Sequence, residues 1–222
     1  MNDDASWVEW FEAAWAQRED DVYASLFGSL GPGIYPLDDH LFNDTFDRPA
    51  VDPRWLTIGA FESPPTPSRK NWVYVSSGLS NAWEDKQPDP ESWSGLGTEL
   101  VMQCSQQSPW ALTLIRRLIA YQLLLSVGHF KGREPLHFWD RMPVGSPIDA
   151  RASELRALLF APSTEFPGVQ HLRSGKFEFL QVIGLAESEL LYGRQHGYEE
   201  LHAELVKRGA APVVDFERDA VL

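Results

Sequence analysis

The sequence is poor in cysteine and in basic residues, and each shortage excludes a class of protein. Cys104 is the single cysteine among 222 residues, so no intramolecular disulfide can form, consistent with a reducing compartment. Lysine and arginine total 19 against 32 aspartates and glutamates, which gives a formal net charge of −13 at pH 7. Because such a chain is repelled by phosphate backbones and anionic lipids, neither nucleic-acid binding nor docking on a membrane surface is expected.

The sequence also lacks a long apolar run. Its longest apolar stretch, Ala111–Leu125, is 15 residues long and contains Arg116 and Arg117. A membrane span needs about 20 apolar residues, so none is predicted. The N-terminus, MNDDASWVEW, has no basic region followed by an apolar core, so a signal peptide is not expected either. We therefore expect a soluble, cytoplasmic protein with a single domain over residues 1–222.

What the sequence does contain is enough apolar material, 43% of the residues, for a sizeable core. Apolar residues at helical spacing predict helices at roughly Ala5–Phe27, Ser108–Gly128, Ala152–Phe160, Ala186–Gln195 and Tyr198–Arg208. Short apolar or alternating runs predict strands at Trp55–Phe61, Trp72–Ser76, Thr98–Cys104, Phe177–Ile183 and Val213–Phe216. The acidic segment Pro36–Pro53 is expected to be a loop with one short strand. Strands in the middle with helices gathered around them indicate the α+β class.

Motifs for catalysis are weak. The segment Ser76–Ser80 is not a nucleophile elbow, because no serine in it has a glycine two residues away on both sides, and Gly95-Leu96-Gly97 lacks the third glycine of a dinucleotide-binding loop. Cys104 has no activating neighbour in the sequence, which favours a buried, inert thiol. Glu99 stands at the head of an apolar strand, where a position at the rim or an edge of the sheet is expected.

A metal site is not supported by spacing, because neither H-E-x-x-H nor C-x-x-C is present. His129, His137 and Asp140 lie in one irregular segment, so a hydrolase that uses the two histidines stays open as the least favoured alternative. No cofactor is expected.

Tryptophan is abundant, with nine residues in the chain. Trp83 and Trp93 fall in loop-like, acidic surroundings rather than on a core stripe. Tryptophan anchors protein interfaces because it buries a large area at low entropic cost. Two interpretations of Trp83 and Trp93 therefore stay open: they cap the core, or they face a partner.

Four blocks of the sequence resemble the Suppressor of fused family. Asn71–Asp85 (NWVYVSSGLSNAWED) is similar to the family's central motif, an aromatic strand followed by S-x-G-L/M-S and a short acidic segment. Ser94–Leu100 (SGLGTEL) resembles its S-G-x-G-x-E-L strand, Ser108–Leu125 its long helix, and Ser174–Leu190 its F-L-Q-containing block. The resemblance is strongest over residues 71–201, whereas residues 1–70, the N-terminal helix and the acidic loop, match poorly.

The resemblance implies a mixed, mostly antiparallel β-sheet with helices packed on it, and a protein-binding module that is not an enzyme. The animal protein clamps a transcription-factor peptide with the help of a second domain, for which this chain is not expected to have room. Short bacterial members are similar to proposed immunity proteins, which bind and neutralise polymorphic toxins. A regulatory adaptor that binds an endogenous protein or a transcription-factor peptide is the alternative.

The same resemblance suggests a partner-binding patch along the central motif. Its members are Tyr74, Ser77, Gly78, Leu79, Ser80 and Trp83, with Glu84 and Asp85 as an acidic rim. A partner that adds as an extended strand would use the edge of Trp72–Ser76 or of Val213–Phe216. The other interpretation is that S-S-G-L-S is a turn that the fold itself requires.

Overall fold

One mixed sheet of nine strands organises the computed structural model, which describes residues 3–83 and 89–222. The strands are β1 (Tyr35–Pro36), β2 (Gly59–Ser63), β3 (Trp72–Ser77), β4 (Trp93–Cys104), β5 (Arg141–Pro143), β6 (Ala157–Pro162), β7 (Gln170–Leu172), β8 (Gly175–Leu185) and β9 (Val213–Val214). Their order is β1-β2-β3-β4-β8-β6-β5, with β7 paired to β8 and β9 to β4. The pairs are antiparallel except those of β4 with β8 and with β9, which confirms the mixed, mostly antiparallel sheet.

Helical segments cover both faces of the sheet. They are α1 (Asp3–Ala16), a π-helical segment (Gln17–Tyr23), α2 (Ala24–Phe27), α3 (Asp39–Phe46), a 3-10 segment (Pro53–Thr57), α4 (Pro109–Ser126), α5 (Glu187–His196) and α6 (Tyr198–Lys207). Helices α3 and α4 pack on one face. The π-helical segment, α2, α5 and α6 pack on the other. None of these helices has both the length and the apolar character needed to cross a membrane.

Strand β8 does not alternate between apolar and polar residues, because both of its faces are buried. Leu180 and Val182 point into the core beneath α4, while Phe177 and Phe179 point into the aromatic core beneath the π-helical segment. All four side chains are at most 2% exposed. A strand covered on both faces gains nothing from polar alternation, so the prediction of a central strand at Phe177–Ile183 is confirmed.

Three sequence predictions of local structure are wrong. Pro36–Pro53 contains helix α3, which begins where the Asp38 carboxylate accepts a hydrogen bond from the backbone N–H of Leu41 at 2.9 Å. The predicted helix Ala152–Phe160 is replaced by strand β6, because an apolar run this short fits a buried strand as well as a helix. The predicted strand Trp55–Phe61 begins only at Gly59, after the 3-10 segment.

A buried ion pair between Arg218 and Glu189 of α5 holds the C-terminal tail in place. Both oxygens of Glu189, which is fully buried, accept hydrogen bonds from Arg218 at 2.6 and 2.8 Å, in a bidentate pair. The backbone N–H groups of Ala186 and Val221 donate to the same carboxylate at 2.9 and 3.0 Å. Burial raises the pKa of Glu189, but the hydrogen bonds from Arg218, Ala186 and Val221 outweigh it, so that the pKa lies below its ordinary value.

Replacing Arg218 should therefore destabilise the protein. Arg218→Ala leaves the Glu189 carboxylate buried without its partner, which is expected to lower the free energy of unfolding by about 3 kcal/mol. Because the pKa of Glu189 is depressed in the folded state, this contribution is complete at neutral pH and is lost as the pH falls below about 4.3. Urea unfolding at pH 7 and at pH 3.5 measures both effects. The control Lys207→Ala, which removes an exposed partner of Glu204, should leave the midpoint unchanged.

Candidate functional site

The S-S-G-L-S segment is folded around the side chain of Glu99. One oxygen of this carboxylate accepts hydrogen bonds from the backbone N–H of Gly78 at 3.0 Å, the N–H of Ser80 at 2.9 Å and the Ser80 hydroxyl at 2.6 Å. The other oxygen accepts a hydrogen bond from the Ser76 hydroxyl. Glu99 is fully buried, so the prediction that it lies at a rim or an edge is wrong. A buried carboxylate requires these donors, and they fix the path of the segment.

Arg18 supplies the positive charge beside Glu99. Its Nη1 lies 3.9 Å from a Glu99 oxygen and donates to the Ser80 hydroxyl at 3.1 Å and to the Asn81 side-chain carbonyl at 2.7 Å. Its Nε donates to the Ser77 hydroxyl at 3.1 Å. Arg18 is 1% exposed, although it belongs to the charged run Arg18–Asp21. The residue lies in the π-helical segment, a local widening of the helix that is frequent at functional positions.

Tyr23 completes this buried polar network. Its hydroxyl donates to the backbone carbonyl of Ser76 at 2.6 Å. Burial, followed by the nearby charge of Glu99, raises the pKa of Tyr23 well above its ordinary value, although Arg18 opposes the shift. The hydroxyl therefore stays protonated at all physiological pH values and acts as a fixed donor.

Most residues of the predicted partner-binding patch are interior. Tyr74, Ser77, Leu79 and Ser80 are at most 1% exposed, and the Tyr74 hydroxyl accepts a hydrogen bond from the backbone N–H of Ser108 at 2.7 Å. The expectation that Tyr74 anchors a partner is corrected for this physical reason: its side chain already packs in the core. These residues shape the surface from within, as the turn interpretation proposed. Glu84 and Asp85 lie outside the described residues.

Two glycines let this turn pack closely on its two neighbours, Ile58 and the start of β4. Gly78 has a φ of +121°, and a Cβ there would lie 2.7 Å from Cγ1 of Ile58. Gly95 has a φ of +56°, and a Cβ there would lie 2.6 Å from the carbonyl oxygen of Leu79. The backbone N–H of Leu96 donates to that same carbonyl at 2.8 Å. A side chain at Gly78 would push the turn away from Ile58, and one at Gly95 would separate the turn from the start of β4.

The surface over this turn carries a cleft of about 360 Å³, here called the first cleft. It lies between the turn and the C-terminal end of α4, and Gly78, Leu79, Trp83, Trp93, Leu96, Arg54 and Val127 are among the residues that line it. Trp93 and Val127 are 52% and 56% exposed. Two large apolar side chains thus face solvent in one concave surface, an arrangement that is typical of interaction sites.

A second cleft of about 420 Å³ lies on the other side of Trp93. Its lining includes Leu96, Thr98, His137, Phe138, Glu178 and Leu180 together with Trp93. Because Trp93, Gly95 and Leu96 line both clefts, they form a ridge between them, here called the Trp93 ridge. Sequence reasoning left open whether Trp93 caps the core or faces a partner, and its exposure favours the second interpretation.

The far wall of the second cleft depends on a turn with unusual backbone geometry. Trp139 has a φ of +72°, which is rare for a large residue. Its backbone N–H donates to the carbonyl of Phe160, and its ring packs near His202 at 5.7 Å, on the α6 side of the sheet. Phe138, next to it in the chain, lines the second cleft. The turn thus sends neighbouring aromatic rings to opposite sides.

Trp83 joins the wall of the first cleft to helix α1. Its ring centroid lies 4.1 Å from that of Phe11 and 6.5 Å from that of Trp7. The guanidinium carbon of Arg54 lies 5.6 Å from the Trp83 ring centroid, a cation–π contact. Trp83 is partly buried, and it is the member of the predicted patch whose ring lies at the cleft surface.

Among the residues considered for catalysis, His137 and Asp140 lie together, since the backbone N–H of His137 donates to the Asp140 carboxylate at 2.9 Å. The His129 ring packs on Phe130, with centroids 4.7 Å apart, whereas His137 lines the second cleft. Over residues 3–83 and 89–222, no three histidine, cysteine or acidic side chains are grouped to hold a metal ion. Cys104 is fully buried, which raises the pKa of its thiol and keeps it protonated.

Comparisons with known proteins agree on one family. A family model described as Suppressor of fused protein (SUFU) matches residues 53–219. A chain of the Sufu–Fu complex superposes with a TM-score of 0.64 at 17% identity, over 91% of this chain and 90% of that one. A Suppressor of fused homologue from Neisseria gonorrhoeae gives 0.60 at 15% identity, over 97% and 98% of the two chains.

Drosophila Suppressor of Fused superposes with a TM-score of 0.55 at 19% identity, over 73% of this chain but only 42% of the Drosophila chain. No curated protein matches the sequence. At identities this low, the likeness to the solved structures concerns the fold.

The buried network predicts a stability defect in Glu99→Gln. The neutral amide keeps the shape but removes the buried counter-charge of Arg18, which then retains the partly exposed Glu19 carboxylate 3.8 Å away, and it weakens the charge-assisted hydrogen bonds. The free energy of unfolding should therefore fall by about 2 kcal/mol. Glu62→Gln is the control, since Glu62 is also buried but its carboxylate is hydrogen-bonded to neutral side chains, those of Gln107 and Tyr74. Urea unfolding of both variants measures the difference.

A double variant tests whether Arg18 and Glu99 act as a pair. Arg18→Met combined with Glu99→Gln should cost less than the sum of the two single changes, because neither charge is then left unpaired. Strict additivity would contradict the pairing.

Proposed function

The chain belongs to the Suppressor of fused family, and we propose that it acts by binding another protein, without catalysis. The observation that carries this proposal is the Trp93 ridge between two clefts. A tryptophan that is 52% exposed at the centre of a concave, largely apolar surface is the kind of residue that anchors protein interfaces. The rigid turn beneath it keeps the ridge in place, so little ordering entropy is lost on binding.

The binding surface that we propose differs from the patch first predicted. Gly78, Leu79 and Trp83 belong to it because they line the first cleft, whereas Trp93 and Val127 provide its exposed apolar area. Tyr74, Ser77 and Ser80 support it from the interior. The proposed contact area is therefore centred about ten residues further along the chain than the central motif suggested.

For the partner, we propose a polymorphic toxin that the chain neutralises in the cytoplasm. The net charge of −13 supports this role, because it accelerates association with basic surfaces. Toxins that cleave nucleic acids need such surfaces to hold phosphate groups. An acidic protein that covers one of them blocks access of the substrate and needs no chemistry of its own.

The test is capture of the partner from the source organism by the purified chain and two variants. Trp93→Ala should weaken binding of the captured protein by about 30-fold, equivalent to about 2 kcal/mol, because it removes the central anchor. Leu191→Ala is the matched control: Leu191 is 47% exposed, but it lies on α5 and outside both clefts. It should bind as well as the unchanged protein.

The identity of the captured protein then tests the toxin proposal separately. Its expression alone should arrest growth, and co-expression of the chain, but not of Trp93→Ala, should restore growth. A partner that is not toxic, such as a transcription regulator, would overturn the immunity role and leave protein binding intact. Equal capture by Trp93→Ala would overturn the proposed surface.

A further inference from the structure

We infer that the second cleft is an anchor site for an arginine side chain of the partner protein. This inference rests on the proposed function, and it adds the chemistry that one half of the surface selects. It follows from the residues that line the second cleft, from their charges and from an arginine site that the chain already contains beside the first cleft.

The second cleft combines an apolar floor with a single carboxylate. Leu180, Leu96 and Phe138 provide the floor, which suits the methylene groups of a long side chain. Glu178 also lines the cleft and is partly exposed. Within the part of the chain that the structure describes, its carboxylate has no hydrogen bond and no ion pair, and no lysine or arginine lines the cleft.

The cation nearest in sequence does not compensate Glu178. Lys176 precedes it by two residues on β8 and is paired with Glu91, with an N–O distance of 3.1 Å. The hydroxyl oxygen of Thr98, which faces Glu178 across the parallel pair β4–β8, is buried and has no hydrogen-bond partner among the described residues. Among the described residues, the Glu178 carboxylate thus faces the cleft without a hydrogen bond or an ion pair.

The first cleft shows the arrangement that the second lacks. There Arg54 donates from Nε to the Asp52 carboxylate at 2.9 Å while its guanidinium lies over the Trp83 ring. A guanidinium between a carboxylate and an indole satisfies both groups, through charge-assisted hydrogen bonds and a cation–π contact. The second cleft offers the same two groups, Glu178 and Trp93, with space for the guanidinium to come from outside.

Other side chains fit this cleft less well. A purely apolar side chain would cover Glu178 without giving it a donor, and an acidic one would be repelled. Arginine has five donors in a planar fork, so that it can donate to the Glu178 carboxylate while it stacks on Trp93. The excess of negative charge on the chain favours the approach of the same cationic partner.

A matched pair of small probes tests the inference without the partner. The complete chain, labelled with ¹⁵N, is titrated with N-acetyl-arginine methylamide or with the isosteric, neutral N-acetyl-citrulline methylamide. The indole N–H resonance of Trp93, assigned by its loss in Trp93→Phe, reports occupancy. We expect the arginine probe to bind at least about 10-fold more tightly than the citrulline probe, since the charge-assisted bonds are lost in citrulline.

Two variants locate the charge that is responsible. Glu178→Gln should weaken binding of the arginine probe by about 10-fold, while Glu187→Gln, an exposed change on α5, should not alter it. An unchanged position of the Trp93 resonance in the free Glu178→Gln protein verifies its fold. Equal binding of the two probes, or full binding by Glu178→Gln, would overturn the inference.

These outcomes are separable from failure of the proposed function. Loss of partner capture in Trp93→Ala together with equal binding of the two probes would retain the protein-binding surface and reject its arginine site. Selective binding of the arginine probe together with full partner capture by Trp93→Ala would do the reverse.

Discussion

The carboxylate of Glu99 is buried in the sheet, and the geometry around it follows from the need to surround that charge with donors. Gly78 and Ser80 turn their backbone N–H groups toward it, and Ser76 and Ser80 add their hydroxyls. Arg18 balances the charge from the π-helical segment. If this carboxylate were removed, several buried donors would lose their acceptor at once, and each such loss costs about 1–3 kcal/mol. The turn, the start of β4 and the N-terminal helix are therefore held as one unit.

This rigidity explains how an interior network serves an exterior surface. The turn that wraps Glu99 is the floor of the first cleft, and the strand that carries Glu99 also carries Trp93 and Thr98. Trp93 is thus presented on a support that cannot easily shift. An exposed tryptophan on a mobile loop would lose more entropy on binding than one that is already positioned. The buried charge thus supports the proposed binding surface from the interior.

Much of the fold could be predicted from the sequence where a single periodicity dominated. Strand β8 and helix α4 are examples, since burial on both faces and a clear helical stripe leave little ambiguity. Strand β6 was predicted as a helix because a short apolar run fits both states, and the sheet on which it packs decides between them. Helix α3 was not predicted, because Asp38 is one of several aspartates in an acidic segment and could not be recognised as the N-cap of a helix.

The candidate site was harder to predict than the fold, because burial is a tertiary property. A serine- and glycine-rich turn has the same sequence whether its hydroxyls face a partner or an internal carboxylate. The signal for an internal carboxylate was Glu99. Its role could not be recognised without its partner Arg18, which lies 81 positions away in the chain. For the same reason, the sequence did not decide whether Trp93 caps the core or faces a partner. A photo-crosslinking residue placed at position 93 or at position 191 in the source organism tests whether partner contact is centred on the Trp93 ridge. We expect one specific adduct from position 93 and none from position 191. The same adduct from position 191, with none from position 93, would contradict this expectation.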